Sequence, residues 1–285
     1  MSGKVPRPRG IDFVINWSIG SWSEDRVLDA INSTPKYRAF RYGVSRAGQF
    51  TFEEFARYYM RLQQTTSLHG KRPDLIVFDA NMLKNLTPDE IRLLNNLMDT
   101  PDNEADPLIR KALFGVEVEV SKWHVDKMVE YQQRKGSTTR IMGPTFTIKE
   151  EDLEPLIEWM KYFNKEILVV QTFYDQAYAI PLSRALELIK GKEKLKKKLR
   201  DIAKRQDSKT KKVTYFIPCL KYGTLFGRFD PPPTIKGEVL IDDRGQIWPI
   251  VRFENGKLNI TADARQLLDE IAKGVMRPNM TKQNN

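Results

Sequence analysis

Two periods run through the apolar positions of this chain, one of about 3.6 residues and one of 2, and they divide it into helices and strands. Thr51-Phe52-Glu53-Glu54-Phe55 places an acid three positions after a Thr cap, and helical spacing continues to about Gln64, so a helix is predicted there. Leu75 to Phe78, after Pro73, is a short strand-like run. Thr87-Pro88-Asp89-Glu90 opens a helix with Pro in its first turn, carrying Ile91, Leu94, Leu97 and Met98 inward. The polar stretch Asp99 to Asp106, with Pro101, predicts a loop. Phe114 to Val120 alternates strictly and predicts a strand, followed by a helix from Trp123 to Arg134 and a polar loop from Lys135 to Thr139.

Further along, Thr147-Ile148-Lys149-Glu150 has the form of a second capping box, leading a helix that buries Leu153, Leu156, Ile157 and Met160. Ile167 to Val170 is a strand covered on both faces, and Leu182 to Ile189 is helical. Short strands then occur at Val213–Ile217, Val239–Ile241 and Ile247–Phe253, with turns at Asp243-Arg244-Gly245 and Glu254-Asn255-Gly256 and a last helix from Ala262 to Ala272. Of the first forty residues only Ser23 to Leu28 carries a signal, that of a capped helix start. The expected architecture is α/β, a mixed central sheet flanked by helices. Residues 1–190 hold an N-terminal segment and the α/β core; 191–285 hold a basic helix and a β-rich portion, either as a separate unit or as an extension of the same fold.

Composition narrows the class. With 285 residues, 40% of them hydrophobic, the chain is globular. The absence of any run of eighteen apolar residues, and of a hydrophobic stretch after the basic N-terminus, predicts a cytoplasmic protein with no membrane partner. One cysteine, Cys219, and two histidines argue against a zinc site, so any metal would be held by oxygen. The formal charge of +10 is concentrated: Lys190 to Lys212 holds twelve Lys/Arg against three Asp/Glu. Leu195, Leu199 and Ile202 form one apolar stripe there, which reads as a helix whose other face is basic. Such a patch is either a solvated face or a surface for phosphates.

The chemistry centres on Val116-Glu117-Val118-Glu119-Val120, where the strand period puts both glutamates on one face. Alone, this pair fits an acidic solvent-facing edge. Asp74, at the start of an upstream strand, would join the glutamates if the two strands pair, and hard cations such as Mg²⁺ favour such oxygen clusters. Walker, Gly-x-Ser-x-Gly and Gly-x-Gly-x-x-Gly motifs are all absent, which disfavours NTPases, serine hydrolases and dinucleotide enzymes.

The order helix, strand with Pro-Asp, strand with Glu-x-Glu, helix, strand, at about 51–66, 74–79, 114–121, 123–134 and 166–173, resembles the PD-(D/E)XK nuclease core. Glu119 stands where that family usually has lysine, an arrangement similar to BamHI-type restriction enzymes. The resemblance implies Asp74 and Glu117 as Mg²⁺ ligands, with Glu119 as a further ligand or as the group that orients or deprotonates the attacking water. Glu117 to Met128, Glu150 to Leu153 and Gln171 to Tyr178 also resemble the AccI group of type II enzymes. This likeness implies a Mg²⁺-dependent endonuclease acting on double-stranded DNA as a homodimer in a prokaryotic cytoplasm, with a cognate DNA methyltransferase in the same system. A structure-specific repair or recombination nuclease, and a non-catalytic basic DNA-binding protein, remain the alternatives.

Several further positions carry a structural and a functional reading. Glu54 is a candidate extra acid from the preceding helix, whereas Glu53 is simply structural. Lys122 is a candidate substitute lysine or phosphate contact, and His124 a phosphate contact or a plain helix-start residue. Gln171 ends its strand at the same edge, and Asp79 competes with Asp74 for the ligand role. Asp175, Phe173, Tyr174 and Tyr178 read as turn and core. The loops Ser45–Gln49 and Arg134–Arg140 carry side chains able to read base edges, or are ordinary surface.

Overall fold

A computed structural model describes residues 10–44, 50–64, 68–134, 143–194, 202–208 and 210–274. The elements run α1 (Ile11–Asn32), β1 (Tyr37–Arg41), α2 (Phe52–Gln64), β2 (Leu75–Asp79), α3 (Pro88–Asn95), α4 (Asp102–Ile109), β3 (Phe114–Val120) and α5 (Val125–Arg134). They continue with β4 (Thr145–Lys149), α6 (Glu150–Phe163), β5 (Ile167–Thr172), β6 (Gln176–Pro181), α7 (Leu182–Lys194), β7 (Ala203–Gln206) and β8 (Val213–Pro218). After the short helix α8 (Cys219–Tyr222) come β9 (Thr224–Phe229), β10 (Pro233–Ile241), β11 (Ile247–Asn255), β12 (Leu258–Ile260) and α9 (Ala262–Ala272).

Among the described residues the main sheet has seven strands in the order β1-β2-β3-β5-β6-β9-β12, drawn from both halves of the chain. It is mixed: β3 and β5 are parallel and every other neighbouring pair is antiparallel. A parallel pair needs a crossover, and here α5, β4 and α6 supply it. Leu75, Val77, Phe114, Val116, Leu168 and Val170 point to one face and pack with Val27 and Ile31 of α1 and Leu267 and Leu268 of α9. Ile76, Phe78, Ile167 and Val169 point to the other, against Leu108 and Ile109 of α4, Leu156, Trp159 and Met160 of α6, and Leu186 and Ile189 of α7. The three-stranded sheet β4-β8-β7 and the hairpin β10-β11 are separate. The hairpin buries Trp248 and Ile250 against Val14 and Trp17 of α1 and against Phe50.

Several local expectations yield to tertiary packing. Ser23 does not start a helix: it lies within α1, where its hydroxyl is buried and hydrogen-bonds Thr172 Oγ1 at 2.6 Å. The polar stretch after Asp99 forms α4 instead of a loop. Its apolar positions Ala105, Leu108 and Ile109 recur at helical spacing, and its first-turn Asp102 receives the buried Arg72 guanidinium. Thr147 is not a cap. Phe146 and Ile148 are buried in strand alternation, so Thr147 lies in β4, and α6 starts at Glu150 with no side-chain cap. Ile91 is 46% exposed on the outer side of α3, although Leu94 and Leu97 are buried as expected.

The apolar stripe of the basic segment also ends differently. Leu195 and Leu199 lie outside the described residues, and Ile202 is buried directly before a strand, β7, which pairs with β8. Lys204 and Lys212 in this region face Glu150 and Glu151 of α6, each at 2.7 Å. Part of the positive run is therefore neutralised within the chain.

Candidate active site

The pairing of β2 with β3 sets the geometry. Leu75 lies opposite Val116, so the next position back, Asp74, falls beside Glu117. Proline is accommodated before Asp74 because Gly115 leaves it room: a Cβ at 115 would stand 2.6 Å from Pro73 Cγ and 3.3 Å from the Trp159 ring. Among the described residues no strand pairs with β3 on its β2 side past Val116, and the Asp74 carboxylate accepts the Val118 N–H there at 2.8 Å.

Glu117 is 6% exposed, and its Oε1 accepts from Lys71 Nζ at 2.5 Å. Its Oε2 is buried with no hydrogen-bond partner. Glu119, two residues on and on the same face, lies 3.3 Å from Lys149 Nζ. Asp152, in the first turn of α6, completes the group, since carboxylate atoms of Glu117, Glu119 and Asp152 lie within 4.8 Å of one another. Lys71 Nζ also stands 3.3 Å from Asp152 Oδ1, and Lys149 Nζ 3.9 Å from Asp152 Oδ2.

Removing these acids from water favours their neutral forms. Burial, and then the nearby Glu24 carboxylate of α1, push Asp74 up to about 7. Burial, and then Asp74, push Glu117 up to about 8. Glu119 is raised by burial, against the pull of Lys149 and Lys71. Burial alone would lower Lys71, but Glu117, Asp74 and Asp152 together hold it above its usual range.

Linkage turns these shifts into a pH dependence of stability. Asp74 and Glu117 titrate in the folded chain above their ordinary 3.8 and 4.5, so folding favours their protonated forms. That stabilisation is full at acid pH below the ordinary values and is lost as the pH rises through about 7 and about 8. In EDTA, the loss of melting temperature between pH 6 and pH 9 should therefore be smaller in Glu117→Gln than in the unaltered protein. An equal loss in both would contradict the assignment.

The remaining sequence candidates take separate places. Gln171 lies beside Glu119 in the parallel register and is wholly buried. Its Oε1 accepts from the Thr147 N–H and hydroxyl, both at 2.9 Å, and its Nε2 is unpartnered. Glu54 pairs with Arg57 on α2 and is not among the converging carboxylates. Lys122 and His124 are exposed in the turn after β3. Asp79 lies at the far end of β2 and accepts from the Asn81 N–H at 2.7 Å. Asp175 caps α5 by accepting the Val125 and Asp126 N–H groups at 2.9 and 3.3 Å. Phe173 and Tyr178 are core, and Tyr174 packs near Trp22 and Phe253. Ser45–Gln49 and most of Arg134–Arg140 lie outside the described residues.

Sequence reasoning missed Lys71, Lys149, Asp152 and the neighbouring Glu24. Lys71 had a signal of sorts, three residues ahead of Asp74. Lys149 was hidden inside the apparent capping box, and Asp152 lay in the Glu150–Leu153 stretch without an assigned role; only the crossover brings them to β3.

The fold and this site define a mixed α/β protein with buried acids gathered along its parallel strand pair. Over residues 2–143, half of the chain to within a residue, the sequence matches the model of the AccI restriction endonuclease family. The chain belongs to that family: it is a type II restriction endonuclease, a site-specific deoxyribonuclease that binds DNA. The matched region includes Asp74, Glu117 and Glu119 and ends before Lys149 and Asp152. Comparison with curated proteins and with solved structures found no match.

Proposed function

We propose that this enzyme hydrolyses both strands of duplex DNA at a short sequence, using Mg²⁺ held by Asp74, Glu117 and Glu119. The observation that carries the reading is the buried, unpartnered Glu117 Oε2 within a group of carboxylates, a costly arrangement that a divalent cation relieves. The antiparallel β2-β3 and parallel β3-β5 pairing supports a PD-(D/E)XK core with Glu119 in the lysine position.

When bound, the cation would acidify a water and offset charge on the phosphate under attack. Asp74 and Glu117 would hold it, with Asp74 itself positioned by the Val118 N–H. Glu119, half-buried and flanked by Lys149, orients the attacking water or takes its proton. A two-fold dimer would present two such sites to a palindromic target, one for each strand. The setting is a prokaryotic cytoplasm, with a methyltransferase protecting the host sequence.

The test is to incubate the purified protein with phage DNA in Mg²⁺ or EDTA. Discrete fragments that require Mg²⁺ and carry 5′-phosphates are expected. Cutting confined to branched substrates would replace this reading with that of a structure-specific nuclease, and retarded but intact DNA would remove catalysis from it.

A further inference from the structure

We infer that Asp152, Lys71 and Lys149 are working parts of this metal site, and that the site takes one divalent cation of the magnesium or manganese class per chain, not two. The inference rests on the metal-dependent reading proposed above and adds to it a ligand, a charge balance and a stoichiometry.

The side chains form an alternating series. Lys71 Nζ bridges Glu117 Oε1 and Asp152 Oδ1 at 2.5 and 3.3 Å. Lys149 Nζ bridges Asp152 Oδ2 and Glu119 Oε1 at 3.9 and 3.3 Å. Asp152 is the only acid of the group that meets both ammonium ions, one on each oxygen. An ammonium held between carboxylates marks where positive charge is most favourable, and here there are two such places around one acid.

Charge then decides the number of metal ions. With a cation bound, Asp74, Glu117, Glu119 and Asp152 count four negative charges and the two paired lysines return two; Glu24, beside Asp74, is already paired with Arg41 at 2.6 Å. The remaining two negative charges match a single divalent cation. A second would leave the partly buried cluster with an excess of two positive charges, and one scissile phosphodiester brings only one negative charge to offset it. Uncompensated charge is disfavoured wherever part of the site is removed from water, as it is at Glu117. The unpartnered Glu117 Oε2 marks where the one cation has a ligand waiting. Lys71 and Lys149 thus do the electrostatic work of a second metal.

Manganese binding to the full chain without DNA, followed by the electron paramagnetic resonance of free Mn²⁺, tests this without reference to activity. One equivalent per chain is expected, weakened at least about tenfold in Asp152→Asn. Lys71→Met combined with Lys149→Met should raise the uptake to two equivalents. Melting in EDTA identifies any variant that fails to fold, and the unaltered chain decides the stoichiometry by itself. Two equivalents in the unaltered protein, or a folded Asp152→Asn with unchanged affinity, would overturn the inference while leaving the metal-dependent reading intact. No Mn²⁺ bound at all would overturn both.

Discussion

Glu117→Ala will lose DNA cleavage by at least about 10³-fold while specific DNA binding remains measurable. Loss of a single preorganised electrostatic group costs on the order of 10²–10³ in rate. Glu117 does more than one such group, because it lies between Asp74 and Glu119 and anchors Lys71 at 2.5 Å. Its removal takes away the shorter of the two ion pairs of Lys71, leaving the one to Asp152, and opens the middle of the cluster. Cleavage assays on a DNA fragment carrying the target, run beside gel retardation of the same fragment, measure both quantities. Cleavage within tenfold of the unaltered enzyme would remove Glu117 from the site.

Asp102→Ala should produce the largest loss of stability, about 3–5 kcal/mol, as expected when one partner of a buried ion pair is removed. Arg72 and Asp102 are both nearly inaccessible, with Arg72 Nε 2.6 Å from Asp102 Oδ1. The guanidinium also donates to the carbonyls of Leu97 and Thr100 at 3.1 and 2.7 Å. It therefore ties the start of α4 to the segment Lys71-Arg72-Pro73-Asp74, which places two members of the site. Urea unfolding followed by circular dichroism would measure the change, and a loss below about 1 kcal/mol, the scale of a surface pair, would show that the pair is not buried in solution.

The contrast between strong local signals and tertiary override explains what could be read from the chain. The ends of β3 and α9 agree with expectation because alternation in the first and the Thr261 cap in the second are local. The helix opened by Thr87-Pro88 likewise forms as expected, and the structure adds a capping box there with both of its hydrogen bonds. The Thr147 motif has the same spelling, but burial of Phe146 and Ile148 outweighs the cap and draws Thr147 onto Gln171. β6 and β9 gave no periodic signal, since β6 is buried on both faces and neither alternates. At the site, Asp74, Glu117 and Glu119 were legible because strand period and pairing alone bring them together. Lys71, Lys149 and Asp152 were not, because they arrive from a loop and from a strand–helix junction whose positions depend on the crossover.

The most direct measurement of the central claim is the anomalous signal of Mn²⁺ in crystals of the enzyme grown with that ion. The predicted result is a peak bonded to Glu117 and within the carboxylates of Asp74, Glu119 and Asp152. A well-ordered peak elsewhere on the chain, or none at this cluster under conditions that support cleavage, would contradict it.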